Sequence, residues 1–84
     1  MIVQMNSSLA PDLISKLSPR QMEIMNLLVQ GKKYREIATI LSISIDAIKI
    51  HVHEARYKLE VENRIQLIVI FTRWQVAQEI KENG

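Results

Sequence analysis

The sequence has no cysteine and only two glycines, Gly31 and Gly84. Without cysteine there are no disulfide frameworks, cysteine-based zinc sites or thiol nucleophiles. With so little glycine there is no glycine-rich loop of the kind that holds phosphates or dinucleotides. No stretch approaches the roughly 20 uninterrupted apolar residues of a membrane span, and the opening MIVQM lacks the basic flank of a secretory signal. We therefore expect one small cytoplasmic domain of 84 residues, with no cofactor, no membrane association and no enzymatic activity.

The charge is unevenly distributed along the chain. The net charge of +2 comes from 11 basic and 9 acidic residues and alone indicates little about partners. Between Lys32 and Lys58, however, six basic residues stand against three acidic ones, and both histidines lie in this segment. A basic middle fits a surface that faces phosphates, and it fits an ordinary solvated face equally well.

The first part of the sequence predicts a flexible lead-in and one helix. Residues 1–16 show no sustained period, apart from a helical turn around residues 12–14. Ser18 has the features of a helix N-cap, with Pro19 at the first helical position and Gln21 three residues after the cap. Apolar residues then recur at helical spacing, and Gly31 predicts the stop.

Three further helices are predicted after Gly31. The second runs from about Tyr34 to Leu41 and is expected to bury Ile37, Ala38 and Leu41. A four-residue turn and a Ser44 cap lead to a third helix, from about Ile45 to Leu59. Its inward stripe comprises Ile48, Val52, Ala55 and Leu59, and its outward face comprises Asp46, Lys49, Ile50, His53 and Tyr57.

The fourth predicted helix starts near Arg64 and reaches the high 70s. Over its first two turns it has almost no polar side, so it needs cover on two sides: the domain core and a partner. The chain is thus predicted to be an all-α four-helix bundle. A short helix, a tight turn and a longer helix with a basic outer face form the helix-turn-helix arrangement, whose second helix can enter the DNA major groove.

An ordered set of segments resembles the LuxR/GerE-type DNA-binding domain. The segments are LSPRQMEI (17–24), LLVQG (27–31), EIA (36–38), IS (43–44), IKIHV (48–52) and KLEVENR (58–64). The resemblance covers about Leu17 to Phe71. It implies a four-helix module that binds double-stranded DNA as a homodimer through its fourth helix and controls transcription. We expect three parts: a flexible N-terminal segment (1–16), the LuxR-type helix-turn-helix domain (17–74) and a C-terminal helix extension or tail (75–84).

A second family resembles only the middle of the chain. YREIA (34–38) and HEARYKL (53–59) are similar to region 4 of extracytoplasmic-function sigma factors, which reads the −35 promoter element. The ends favour the LuxR interpretation, because LSPR (17–20) and VENRIQL (61–67) are LuxR-like and the second has no sigma counterpart.

Three positions depart from the family pattern. The usual small polar cap before the second helix is Lys33, the usual threonine early in the recognition helix is Ala47, and the usual glycine after it is Glu60. A left-handed C-cap at Glu60 would be strained.

The resemblance assigns roles to individual residues. Lys49, Ile50 and His53 are expected to contact bases, with Lys49 suited to guanine and Ile50 to a thymine methyl group. The candidate phosphate contacts are Lys32, Lys33, Tyr34, Arg35, Arg56 and Lys58. The candidate dimer interface is Leu67, Ile70, Phe71 and Trp74, for which burial in the monomer core is the alternative. Glu23 and Arg64 are expected to form an ion pair, and His51 and His53 point too far apart on a helix to share a metal.

Two further hypotheses remain beside the DNA-binding regulator. Under the first, the domain is a protein-binding module that pairs with a larger LuxR-type regulator, and the departures at Ala47 and Glu60 motivate this hypothesis. Under the second, the domain is a sigma-like element that contacts RNA polymerase.

Overall fold

The computed structural model describes the backbone of residues 13–83 and the side chains of residues 13–80. Within that range the chain forms four α-helices and no strand, so the all-α prediction is confirmed. The helices are α1 (Pro19–Val29), α2 (Tyr34–Leu41), α3 (Ile45–Lys58) and α4 (Arg64–Asn83). None of these helices is long and apolar enough to cross a membrane.

Most of the predicted lead-in, residues 1–12, lies outside the described residues. The part that is described forms a helical turn, in which the Lys16 and Leu17 amides donate to the carbonyls of Leu13 and Ile14, both at 3.0 Å. Ile14 is buried with 2% of its surface exposed. The core therefore includes Ile14, which precedes the predicted start of the domain at residue 17.

The helix starts follow from local capping chemistry. At α1 the Ser18 hydroxyl accepts from the Gln21 amide at 3.1 Å, and the Gln21 side-chain oxygen accepts from the Ser18 amide at 3.0 Å. This is a complete capping box, as the sequence predicts. At α3 the Ser44 hydroxyl accepts from the Ala47 amide at 3.0 Å. At α2 the N-cap is Lys33, whose side chain cannot accept a hydrogen bond, and the Glu36 carboxylate accepts from its amide at 2.8 Å instead.

Helices α1, α2 and α3 all end in the same way. One or two residues after each helix end, a residue adopts a left-handed conformation: Gly31 (φ 89°), Ser42 (φ 57°) and Glu60 (φ 57°). The amide that follows each of them reaches back to a carbonyl in the last turn, at 3.0–3.1 Å. This is the Schellman arrangement, which satisfies carbonyls that a helix end leaves unpaired. Only one of the three positions is the glycine that this backbone favours.

The core lies between α3 and the other three helices. The predicted stripe of Ile48, Val52, Ala55 and Leu59 is buried, with at most 4% of each residue exposed. It packs with buried residues of α1, α2 and α4, namely Ile24, Met25, Leu28, Ile37, Ala38, Leu67 and Phe71. Leu41, predicted as core, is half-buried at its edge. Because α3 buries one stripe against this core, the opposite stripe must face solvent.

Candidate nucleic-acid interface

The outward face of α3 carries the three residues predicted to contact bases. Lys49, Ile50 and His53 are all exposed, and Ile50 exposes 58% of its surface. Asp46 and Tyr57 lie on the same face, and Tyr57 exposes 83%. The face therefore presents a cation, a carboxylate, an apolar side chain, an imidazole and a phenol, and both Ile50 and Tyr57 expose more than half of their surface.

A basic cleft lies beside this face, where the start of α2 meets the first turn of α3. Lys33, Tyr34, Arg35, Glu36, Ile45 and Lys49 line it. Lys33 and Arg35 are exposed, and so is Lys32 just before them. Three of the predicted phosphate contacts, Lys33, Tyr34 and Arg35, therefore line a cleft beside the outward face of α3, which we call the recognition face. Lys49 belongs to both surfaces, and Lys32 precedes the cleft in sequence.

The other two predicted phosphate contacts, Arg56 and Lys58, have intramolecular partners. The Arg56 guanidinium donates to the backbone carbonyl of Glu62 at 2.6 Å, which holds the loop between α3 and α4. The Lys58 ammonium donates to the Gln21 side-chain oxygen at 2.7 Å. Lys58 also lies nine residues after Lys49, about 180° around the helix. Both side chains therefore brace the end of α3. Only Lys58 points away from the outward face, because Arg56 lies seven residues after Lys49 and so within about 20° of it around the helix. The phosphate contacts of both residues stay predictions.

Gln21 is the centre of a polar network behind α3. It is 3% exposed, and its side-chain oxygen accepts from both the Ser18 amide and Lys58. Its side-chain nitrogen donates to Glu54 at 2.9 Å. The network joins the start of α1 to the second half of α3 and so fixes the orientation of the recognition helix. The sequence showed the capping role of Gln21 but carried no signal of the contacts to α3.

The expected Glu23–Arg64 ion pair is absent from the described structure. Glu23 pairs with Arg20 one helical turn away, at 3.3 Å. The Arg64 guanidinium instead lies 5.2 Å from the centre of the Tyr34 ring, a cation–π geometry. Arg64 is therefore tied to the start of α2, next to the basic cleft.

The two histidines lie in different environments. His53 is exposed on the recognition face, whereas His51 is half-buried, with its Nδ1 atom 3.9 Å from a Glu54 carboxylate oxygen. No group of three or more histidine or acidic side chains within the described residues could hold a metal ion.

For two of the four residues of the predicted dimer surface on α4, the structure shows the alternative, burial in the monomer core. Leu67 and Phe71 are completely buried and belong to the monomer core, so they are not available to a partner. Ile70 and Trp74 are half-buried against that core, with the Trp74 ring 5.3 Å from the Phe71 ring. The exposed side of α4 is lined by other apolar residues: Ile65 (73% exposed), Val69 (43%), Val76 (49%) and Ile80 (67%). We call this set the α4 stripe.

Comparison with known proteins agrees with this geometry. Residues 15–71 match the family model described as bacterial regulatory proteins, luxR family. The nitrate/nitrite response regulator protein NarP of Escherichia coli (strain K12) is 31% identical over 67 residues, which are 80% of this chain and 31% of NarP. The response regulator protein VraR of Staphylococcus aureus (strain Mu3 / ATCC 700698) is 38% identical over 58 residues, 69% of this chain and 28% of VraR. No solved structure gave a significant match.

The chain belongs to the luxR family of bacterial regulatory proteins, as the resemblance of its sequence predicts. It spans about a third of the length of the curated relatives described above. Membership implies DNA binding and transcription regulation, and in this chain α2, the turn and α3 form the helix-turn-helix.

Proposed function

We propose that this luxR-family chain is a sequence-specific DNA-binding transcription regulator that acts as a homodimer and inserts α3 into the major groove. The observation that carries the proposal is the outward face of α3, where Lys49, Ile50 and His53 are exposed together. A helix of about 10–12 Å diameter fits a groove about 12 Å wide.

Each side chain of the face suits a different part of a base pair. Lys49 donates to O6 and N7 of guanine, and Ile50 packs against the C5-methyl group of thymine. His53, one turn after Lys49, reaches a neighbouring base or phosphate. Lys32, Lys33, Tyr34 and Arg35 bind the flanking phosphates, which sets the register without reading sequence.

The α4 stripe supports the homodimer. Ile65, Val69 and Val76 form an apolar strip on the side of α4 that the monomer core leaves open. A second copy that covers this strip removes it from water and places two recognition helices on one duplex. In the helix-turn-helix arrangement the half-sites then lie about 10 bp apart.

The test is selection of random duplex DNA by the full chain at moderate salt. We expect enrichment of a two-fold symmetric site. The Lys49→Ala/His53→Ala variant should lose that enrichment. An Arg73→Ala variant, which removes an exposed cation outside the recognition face, should keep it. No enrichment from folded wild-type protein would refute autonomous DNA reading.

The α4 stripe also favours a second candidate function, a protein-binding module that pairs with a larger LuxR-type regulator and modulates it. Under this alternative the Lys49→Ala/His53→Ala variant keeps its effect in a transcription assay, and Val69→Asp abolishes it. Binding of the purified chain to RNA polymerase without DNA would instead identify the polymerase as the partner.

A further inference from the structure

A second basic groove lies on the far side of the α2 start from the recognition helix. Leu28, Gly31, Lys32, Lys33, Tyr34, Arg64 and Ile68 line it, from the turn between α1 and α2 to the first turns of α4. Three of these residues are cations, and no acidic side chain of the described residues lines the groove. Its remaining walls are apolar or aromatic.

Arg64 is held in position in this groove. Its guanidinium lies 5.2 Å from the centre of the Tyr34 ring, and Tyr34 is half-buried against the core. A planar cation on an aromatic face keeps its edge donors free for an anion while its position is fixed. Lys32 and Lys33 approach the same groove from the turn between α1 and α2.

The groove is continuous with the basic cleft beside α3, because Lys33 and Tyr34 line both. Cations therefore line both connected surfaces, with Lys49, Arg35 and Lys33 in the cleft and Lys32, Lys33 and Arg64 in the groove, and Glu36 is the one acidic residue among the described residues that line them. Successive phosphates of one DNA strand form a line of negative charge that connected basic surfaces of this kind can follow.

We infer that this groove binds a phosphate of the DNA backbone, with Arg64 as its principal contact, beyond the phosphates next to the recognition helix. The inference rests on the proposed DNA-binding function and adds a binding residue on α4 to it. The anion is a phosphodiester of the bound duplex, since Lys33 and Tyr34 connect the groove to the recognition face.

The test measures the affinity of the full chain for duplex DNA between about 50 and 200 mM salt. One phosphate contact contributes about 0.9 to the slope of log affinity against log salt. Arg64→Gln should therefore bind more weakly than the wild type at low salt. The ratio of the wild-type affinity to the Arg64→Gln affinity should fall about 3.5-fold as the salt concentration rises across this range. The loss should be equal for selected and unrelated DNA, because a phosphate contact carries no sequence information.

Two variants control for charge and for folding. Arg73→Gln removes an exposed arginine of the same helix outside the groove and should leave the slope unchanged. Arg64→Lys keeps the charge and should keep the slope, even if the variant is less stable. Equal slopes for wild type and Arg64→Gln would overturn the inference while leaving the proposed function intact.

Neutral methylphosphonates placed one at a time along the duplex locate the contact. The wild type should lose affinity at one position outside the stretch covered by α3, and Arg64→Gln should be insensitive at that position alone. Equal sensitivity of both proteins at every position would also overturn the inference. Absence of any salt-dependent binding by the wild type would refute the proposed function, and this inference with it.

Discussion

Replacing Glu60 by glycine is expected to stabilise the fold. Glu60 follows α3 with φ 57°, and its amide and that of Val61 donate to the carbonyls of Tyr57 and Arg56 at 3.2 and 3.0 Å. These hydrogen bonds require the left-handed backbone and not the side chain. A residue with a Cβ atom loses about 1–2 kcal/mol in this conformation.

The expected gain is smaller than that strain. Glycine loses more backbone freedom on folding, at a cost of roughly 0.5–1 kcal/mol. The net increase in the free energy of unfolding is therefore about 0.5–1 kcal/mol, which raises the melting temperature of a domain of this size by about 2–8 °C. Glu60→Gln is the matched control, since it removes the negative charge from the end of α3, worth about 0.3–1 kcal/mol, and keeps the Cβ atom.

Thermal unfolding followed by circular dichroism measures the difference between the two variants. The reverse substitution, Gly31→Ala, should lower the melting temperature by a similar amount, because Gly31 has φ 89°, which is strained for a residue with a Cβ atom. The added Cβ atom would meet nothing within 4 Å, so backbone strain is the effect that the substitution measures. If Glu60→Gly is no more stable than Glu60→Gln, and Gly31→Ala melts like the wild type, left-handed strain is not what limits these helix ends.

Three further predictions concern the interface, the network and α4. Lys49→Ala should lose about 1–3 kcal/mol of discrimination at one base pair, measured by competition between the selected site and single-base variants. Gln21→Ala should lower the free energy of unfolding in urea by roughly 1–3 kcal/mol, because it leaves the half-buried Lys58 ammonium and the Ser18 amide without their partner. An unchanged urea midpoint would show that the network is energetically neutral. In the proposed homodimer, Val69→Asp should raise the dissociation constant at least about tenfold in sedimentation equilibrium, since it puts a carboxylate into an apolar contact. It should leave the melting temperature of the monomer unchanged, because Val69 is 43% exposed.

The sequence predicts those parts of the fold that depend on neighbours along the chain. Ser18, Pro19 and Gln21 specify the start of α1, and Ser44 specifies the start of α3, because a capping side chain acts within three residues. The buried stripe of α3 follows from helical periodicity. The exposed recognition face then follows, since it is the other side of the same helix.

What the sequence could not supply are the partners that only the tertiary structure brings together. Arg56 and Lys58 lie on α3 and Arg64 begins α4, and nothing in the neighbouring sequence indicates which intramolecular partner each of these side chains contacts. Their partners lie at Glu62, Gln21 and Tyr34, and two of these are on other helices. Likewise, α4 has two apolar sides, and periodicity alone does not indicate that the core takes Leu67 and Phe71 and leaves Val69 outside.

The Gln21 network also has a consequence for how the molecule opens. Because the buried Gln21 side chain bonds to Ser18 at the start of α1 and to Glu54 and Lys58 of α3, we expect the two helices to open together. The amide protons of the two helices should then exchange with solvent through the same opening event. A helix that belongs to the global unfolding unit arrives at its target already formed, so ordering it adds no entropic cost to binding.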